Sequence, residues 1–396
     1  MNTFRHAIFF NRSYKKMSKG LKKILYISGT RADYGLMRET LLTINKTPGL
    51  ELEIVVTGMH LMPEFGQTIA EIKKDNFKIH ELKATYKRDD KGSMLEFIGE
   101  FLLLLLKKIK EIKPDFILIL GDRAEALAGA IAGSYLAIPV LHIHGGDVSA
   151  TVDEMVRHAI TKLSHLHFAA TKKSAERLIK MGEDPWRVFV VGAPGLDSIL
   201  NQKLLSPEEV AAKYKLNLER PILLVLQHPV TTEVEYAGKQ MRETMEAIKE
   251  IALQTVVIYP NADAGGRKMI EVINRYKNNS FIQVHKNLPR LDYLSLMRIA
   301  SVMIGNSSSG IIEAPSFGLP VVNIGEREKE RERVESAINV GYNKKAIKKA
   351  IGHKKFIKKA KKHKNIYGDG RTGMKICRIL NRVKINDRLL KKQITY

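Results

Sequence analysis

Short apolar runs recur along the chain at intervals that leave room for one helix between them. Lys22–Ser28 (KKILYIS), Leu52–Thr57, Phe116–Leu120, Pro139–Ile143, Pro221–Leu226, Thr255–Tyr259, Phe281–Val284, Val302–Ile304 and Pro320–Ile324 are dominated by Ile, Leu and Val without strict alternation. Runs of that kind are strands covered on both faces, as in parallel sheets. A further strand is predicted near Lys78–Leu82. Between the runs lie stretches with helical periodicity: around Phe65–Asp75, Ala124–Leu136, Thr151–Phe168 and Leu291–Ala300. Strands alternating with helices predict an α/β chain with mostly parallel sheets wound on both faces. The first set of units closes around Val188–Gly195, where a hinge with Pro207 and Pro221 is expected before the second set opens. That gives domains over 22–193 and 194–370.

Phe97–Leu106 holds five consecutive leucines. About ten apolar residues cannot span a bilayer, which needs roughly twenty, so a buried helix is predicted and no membrane insertion. The single cysteine, Cys377, excludes an internal disulfide framework and a multi-cysteine zinc site, which suits a cytoplasmic enzyme. The net charge of +24 is local: residues 1–23 carry seven Lys/Arg and no acid, residues 344–396 carry nineteen and two acids, and the remainder balances at 40 bases and 40 acids. Residues 1–21 read as a disordered basic extension without a signal-peptide pattern, with Met17 an alternative start. Basic ends can bind nucleic acid or anionic membrane; solvated lysine-rich ends are the favoured reading, so nucleic acid is not an expected partner.

The unusual residues gather after the strands. In open α/β sheets ligands lie beyond the carboxyl ends of strands, and there stand Arg31 in GTRADYG, Asp122-Arg123 in LGDR, His144-Gly145-Gly146-Asp147, His228 in QHP, Asn261 in PNADAGG, and His285. His142, His144 and Asp147 invite a metal, but two of these three side chains point to the opposite face of the strand from Ile143; no metal and no cofactor are expected. In VMIGNSSSGIIEAPSFGLPVVNIG, Ser307, Ser308 and Ser309 stand where a short helix begins. Unpaired N–H groups there can hold an anion, or one serine can cap while the others are solvated. Gly305 and Gly310, expected to let backbone approach a ligand, and Glu313, one turn along and within reach of ribose hydroxyls, tip the balance to a nucleotide diphosphate. Thr151-Val-Asp153-Glu154 opens a helix whose face is shared by Asp153 and Arg157, with His158 beside them.

The segments GNSSSGIIEAPSFGLPVVNIG, GTRADYG, GGDVSATVDEMVRHAITKLSHLHF and Tyr367-Gly368-Asp369-Gly370 resemble the UDP-N-acetylglucosamine 2-epimerases, in particular the hydrolysing branch. The likeness runs from about 22 to 373. It implies two Rossmann-like domains facing across a cleft, the glycosyltransferase-B architecture. The nucleotide would sit on the second domain, and a C-terminal helix (about 371–396) would cross back to the first. It implies a nucleotide-sugar substrate, UDP-N-acetylglucosamine, and a homodimer or homotetramer. Arg31 then matches a nucleotide-contacting position, Asp33 belongs to the same motif and Arg327 matches a phosphate contact; Arg123, Asn261, His285, Ser307, Ser308, Ser309, Gly310 and Glu313 are the further residues expected to bind the nucleotide sugar.

Epimerisation beside an N-acetyl group cannot proceed by simple enolisation, because no carbonyl acidifies the C2–H. The resemblance implies elimination: a base removes the C2 proton as UDP leaves, and water then adds to release N-acetylmannosamine, a step of sialic-acid-type biosynthesis. Such a route needs a base, an acid and cations for the diphosphate. Asp122, Asp153 and Glu154 are the expected acid/base group. His228 and Arg327 would face the phosphates, and His144, where several relatives carry glutamate, could shuttle a proton with Asp147 sharing the role. The same reaction on UDP-N,N′-diacetylbacillosamine or a GDP-linked sugar, a non-hydrolysing epimerase, and a glycosyltransferase are the alternatives.

Overall fold

The computed structural model describes residues 20–148, 152–360 and 365–395, with Val152 and Asp153 as backbone only. Apart from Gly20 and Leu21, the expected basic extension lies outside the described residues, as do Thr151 and the side chain of Asp153.

The apolar runs form two parallel sheets. In chain order the first sheet has β1 (Lys22–Ser28), β2 (Leu50–Val56), β3 (Lys78–Glu81), β4 (Phe116–Leu120), β5 (Val140–Ile143), β6 (Leu166–Ala169) and β7 (Val188–Val190), arranged β3-β2-β1-β4-β5-β6-β7. The second has β8 (Ile222–Leu226), β9 (Gln254–Ile258), β10 (Ile282–His285), β11 (Val302–Gly305), β12 (Val321–Ile324) and β13 (Ala337–Val340), arranged β10-β9-β8-β11-β12-β13. The inner strands are buried on both faces: Ile24 and Tyr26 enter one core while Leu25 and Ile27 enter another, and Ile222 and Leu224 part from Leu223 and Val225 in the same way. This is why the strands show no alternation in sequence.

Strand order reverses between β1 and β4 in the first sheet and between β8 and β11 in the second. A doubly wound sheet opens a crevice at such a reversal. Beyond these four strand ends stand Arg31, Asp122, His228 and Ser307.

The chain ends on the first domain. From helix Thr372–Arg382, Ile376, Cys377 and Leu380 join the core around Ile24 and Leu41. Lys22 Nζ donates to the carbonyls of Leu380 at 2.6 Å and Val383 at 2.7 Å. Further on, Lys392 Nζ donates to the carbonyls of Thr161 (2.8 Å) and Ser164 (2.7 Å) and pairs with Glu183 at 2.6 Å.

Four local expectations change. The helix read over Thr151–Phe168 ends at Leu163, and Leu166–Ala169 is strand β6. The leucine run belongs to a longer helix, Lys91–Ile112, capped by Asp90 accepting from the Ser93 N–H, and it is amphipathic: Phe97, Phe101 and Leu105 are buried while Leu103 is 67% exposed. Pro207 opens a helix, Pro207–Lys213, whose capping box pairs Ser206 with Glu209, so that part of the expected hinge is regular structure. The helix expected around Phe65–Asp75 shrinks to Ile69–Lys73, because a single 3-10 turn ends at Gly66 with φ 92°.

Candidate active site

Three residues separate the end of β4 from helix Ala124–Tyr135, and Asp122 is the middle one. The Arg157 guanidinium, itself buried on helix Val152–Leu163, pairs with Asp122 through Nη2 and with the Asp147 carbonyl through Nη1 at 3.0 Å. Burial would raise the Asp122 pKa, but Arg157, Arg331 and Arg327 outweigh it and hold the carboxyl below its usual range. The ion pair with Arg157 thus favours the carboxylate form of Asp122.

Beyond β5 the chain turns sharply: His144 has φ 64° and Gly146 φ 77°. The turn sets His144 Nδ1 2.9 Å from Asp147 Oδ2, while Ser174 Oγ donates to Asp147 Oδ1 at 2.8 Å. Despite burial, His144 and the arginines Arg331 and Arg157 hold Asp147 well below the usual carboxylate range. A carboxylate at Nδ1 orients the ring and fixes the proton on that nitrogen. His142 is engaged elsewhere, its Nε2 lying 2.7 Å from the Gly121 carbonyl. Among the described residues no group of His, Cys, Asp and Glu could hold a metal. On helix Val152–Leu163, Glu154 lies 3.4 Å from His158 Nε2.

At the end of β1, helix Arg31–Lys46 is closed by a capping box in which Asp33 accepts from the Thr30 N–H at 2.7 Å and the Gly29 N–H at 3.0 Å. Ser28 Oγ also donates to it. With both oxygens so engaged, Asp33 shapes the loop. Arg31 pairs through Nε with Glu71 at 2.7 Å, and its Nη2 is buried with no partner among the described residues.

On the second domain Asn306 locks the His228 backbone, accepting from its N–H at 2.6 Å and donating to its carbonyl at 2.9 Å. His228 Nδ1 accepts from the Asn261 N–H at 3.1 Å, which places the ring proton on Nε2. Burial, then Arg327 and Arg123, press the His228 pKa well below its ordinary value, so the ring is neutral and a donor. Arg327 reaches the Asn306 carbonyl at 3.2 Å and Glu328 at 2.7 Å. Helix Ser308–Ile312 is only five residues long, so its dipole is weak and any anion there leans on Arg327 and His228. Ser307 Oγ and Ser309 Oγ are 2.9 Å apart, with Tyr293 Oη 2.5 Å from Ser309; Ser308 is half-buried at the helix start. Glu313 is buried and paired with Arg290. Buried polar atoms of Asn261 (Oδ1) and His285 (Nε2) have no partner among the described residues.

The two glycines expected to make room for a ligand do something else. A Cβ on Gly305, whose φ is 136°, would meet the Leu226 carbonyl oxygen at 2.0 Å, and one on Gly310 would meet Val321 Cγ1 at 2.9 Å. Both let β11 and the short helix pack against neighbouring strands.

The domains touch on both sides of the cleft. On one side Arg331 Nη1 lies 3.4 Å from Asp147 and Thr171 donates to Glu332 at 2.7 Å. On the other, Arg123 pairs with Asp263 at 3.2 Å, and the Gly265 N–H donates to Asp89 at 3.0 Å. Arg123, expected at the nucleotide, is thus a bridge between domains. Arg290 and Tyr293 escaped sequence reasoning, since their partners lie 23 and 16 residues away on another element.

The arrangement offers two ionised carboxylates, a carboxylate-bound histidine and, facing them, a neutral histidine donor beside arginines. That set can move a proton at carbon and receive a departing diphosphate.

A family model described as UDP-N-acetylglucosamine 2-epimerase matches residues 42–381. The chain is 42% identical over 378 residues to a Legionella pneumophila UDP-N,N′-diacetylbacillosamine 2-epimerase (hydrolyzing), covering 95% of this chain and 100% of that one. It is 37% identical over 332 residues to a Neisseria meningitidis UDP-N-acetylglucosamine 2-epimerase, covering 84% and 87%. The fold matches the crystal structure of the N. meningitidis UDP-GlcNAc 2-epimerase bound to UDP-GlcNAc with a TM-score of 0.76 at 21% identity, over 90% of this chain and 99% of that one. By model match and by identity over nearly its whole length, this chain belongs to the UDP-N-acetylglucosamine 2-epimerase family.

Proposed function

We propose that the protein is a hydrolysing 2-epimerase of a UDP-linked 2-acetamido sugar, releasing UDP and the free sugar inverted at C2. The observation that carries this reading is Asp122, an ionised carboxylate at the β1/β4 strand reversal, facing a second domain that presents His228 and Arg327. In this reading a carboxylate takes the C2 proton while the C1–O bond breaks and its electrons leave with UDP. His228 Nε2–H and the guanidiniums of Arg327 and Arg31 stabilise the departing diphosphate. Water then adds across the C1–C2 double bond, its hydroxyl to C1 and a proton to C2 from the opposite face. The His144–Asp147 pair and the acids of helix Val152–Leu163, Asp153 and Glu154, are the groups assigned to that return proton.

As donor, UDP-N,N′-diacetylbacillosamine is favoured over UDP-N-acetylglucosamine, because the full-length relative at 42% identity carries that name. UDP-N-acetylglucosamine, expected from sequence, is the second reading, supported by the relative at 37%. Steady-state rates with both donors, following UDP release, decide between them. A kcat/KM at least tenfold higher for the diacetylated donor is expected; the reverse ranking assigns N-acetylglucosamine, and turnover without UDP release removes the hydrolysing reading.

A further inference from the structure

The second domain carries a sequence repeat that the reaction does not use. KKAIKKA at 344–350 returns as KKFIKKA at 354–360, with Phe356 in the place of Ala346. The two copies form helices Lys344–Ile351 and Lys354–Ala360, parted by Gly352 and His353 alone. Both lie beside β13, the edge strand of the second sheet. Ile347, Ala350 and Ile351 join the core with Ile248 and Ile324, which leaves the lysines on the outer side. Lys344 and Lys348 share Glu250, and Lys359 meets Glu335. Lys345, Lys349, Lys354, Lys355 and Lys358 are exposed and have no acidic partner among the described residues. Like charges four residues apart, as in Lys345 and Lys349 or Lys354 and Lys358, repel and weaken a helix. A helix that only covers a sheet edge gains nothing from them, whereas an anionic surface laid against them removes the repulsion.

What accompanies the charge identifies the kind of anion. From 337 to 368 the chain has eleven lysines, no arginine and no acid. Recognition of nucleic acid favours arginine, whose planar fork grips single phosphates and stacks on bases, and single strands also need aromatic platforms. Lysine is a compact point charge on a flexible stem, which suits the diffuse charge of an anionic bilayer. Between β13 and helix Lys354–Ala360 lies a groove of about 480 Å³ lined by apolar Val334, Ile338 and Phe356 and by cationic Lys355 and Lys359. Arg333, also there, is already bonded to Asn339 Oδ1 at 2.8 Å. Apolar wall and cation side by side fit the glycerol and phosphate of a lipid headgroup. We propose that this lysine face docks the second domain on a membrane surface rich in anionic phospholipid. The helices, of eight and seven residues, lie on the bilayer and are too short to cross it. None of these lysines belongs to the cleft.

Co-sedimentation of the full-length chain with phosphatidylcholine vesicles, with and without about 30% phosphatidylglycerol, tests this. The wild type is expected on the anionic vesicles alone, and raising salt from about 50 to about 300 mM should release it. The variant carrying Lys345→Glu, Lys349→Glu, Lys354→Glu and Lys358→Glu should bind about a hundredfold more weakly or worse. All four positions are exposed, and an unchanged thermal melt would show that the fold is kept. Phe356→Ala should weaken binding at the higher salt, where charge is screened. Absence of binding, equal binding to uncharged vesicles, or binding that survives the four-lysine variant overturns the proposal. So does a 20-nucleotide RNA that the wild type holds more tightly than the anionic vesicles at the same salt and the variant does not, which would assign the face to nucleic acid.

Discussion

Arg331 of the second domain lies 3.4 Å from Asp147 of the first, although 184 residues separate them in the chain. Asp147 also accepts from His144 and Ser174, so the guanidinium ties the His144–Asp147 pair to the opposite wall of the cleft. Removing it as Arg331→Met should lower kcat/KM about tenfold, on the order of 1.4 kcal/mol of transition-state stabilisation. Arg331 is one of the groups holding the Asp147 carboxyl down; without it that pKa rises, so the acid limb of the rate profile should move to higher pH. Unchanged kinetics and profile would show the contact to be incidental.

Asp122 is ionised by virtue of Arg157, Arg331 and Arg327. Asp122→Asn keeps the shape and an acceptor for Arg157 but removes the base. Turnover should fall about a hundredfold or more, with UDP affinity, followed by calorimetry, within about threefold of wild type. Wild-type turnover would take Asp122 out of the chemistry.

His228 is neutral because burial and the adjacent arginines disfavour its cation. Its contribution is a hydrogen bond, so His228→Ala should cost about ten- to a hundredfold in kcat/KM. Between pH 5.5 and 8 the two log kcat/KM curves should run parallel. A gap that opens or closes near pH 6.5 would mean that His228 titrates there and acts as a cation.

Glu183 gathers Lys162 (3.1 Å), His167 (2.8 Å) and Lys392 (2.6 Å) beneath the carbonyl end of helix Val152–Leu163. Burial opposes its charge, yet the hydrogen bonds from His167 and Lys392 bring its pKa down to about 2. A depressed carboxyl stabilises the fold above its unfolded value near 4.3, and that contribution fades as pH falls toward 2. Glu183→Gln should destabilise the protein by about 3 kcal/mol at neutral pH, and the difference from wild type in denaturant melts should shrink below pH 4. A constant difference down to pH 3 would deny the linkage.

The sheets were legible because a strand buried on both faces must be apolar throughout, and the cleft because each strand end is followed by residues that such a run would not otherwise carry, such as Asp122 or His228. The leucine run carries no phase information, since five identical residues point in every direction; only Phe97 and Phe101, ahead of it, reveal which side is the core. Gly305 and Gly310 announce close approach, but nothing local says whether the neighbour is a ligand or a strand, and here it is Leu226 and Val321. Arg290 with Glu313, and Arg331 with Asp147, depend on the docking of separate elements.

The central claim is that C2 is deprotonated while UDP departs and water replaces it. Proton NMR of the UDP-linked acetamido sugar incubated with the enzyme in deuterated water tests it most directly. Free 2-epimerised sugar bearing deuterium at C2, formed in step with UDP, is the predicted result. A UDP-linked epimer, or a free sugar that retains its C2 proton, would contradict the account.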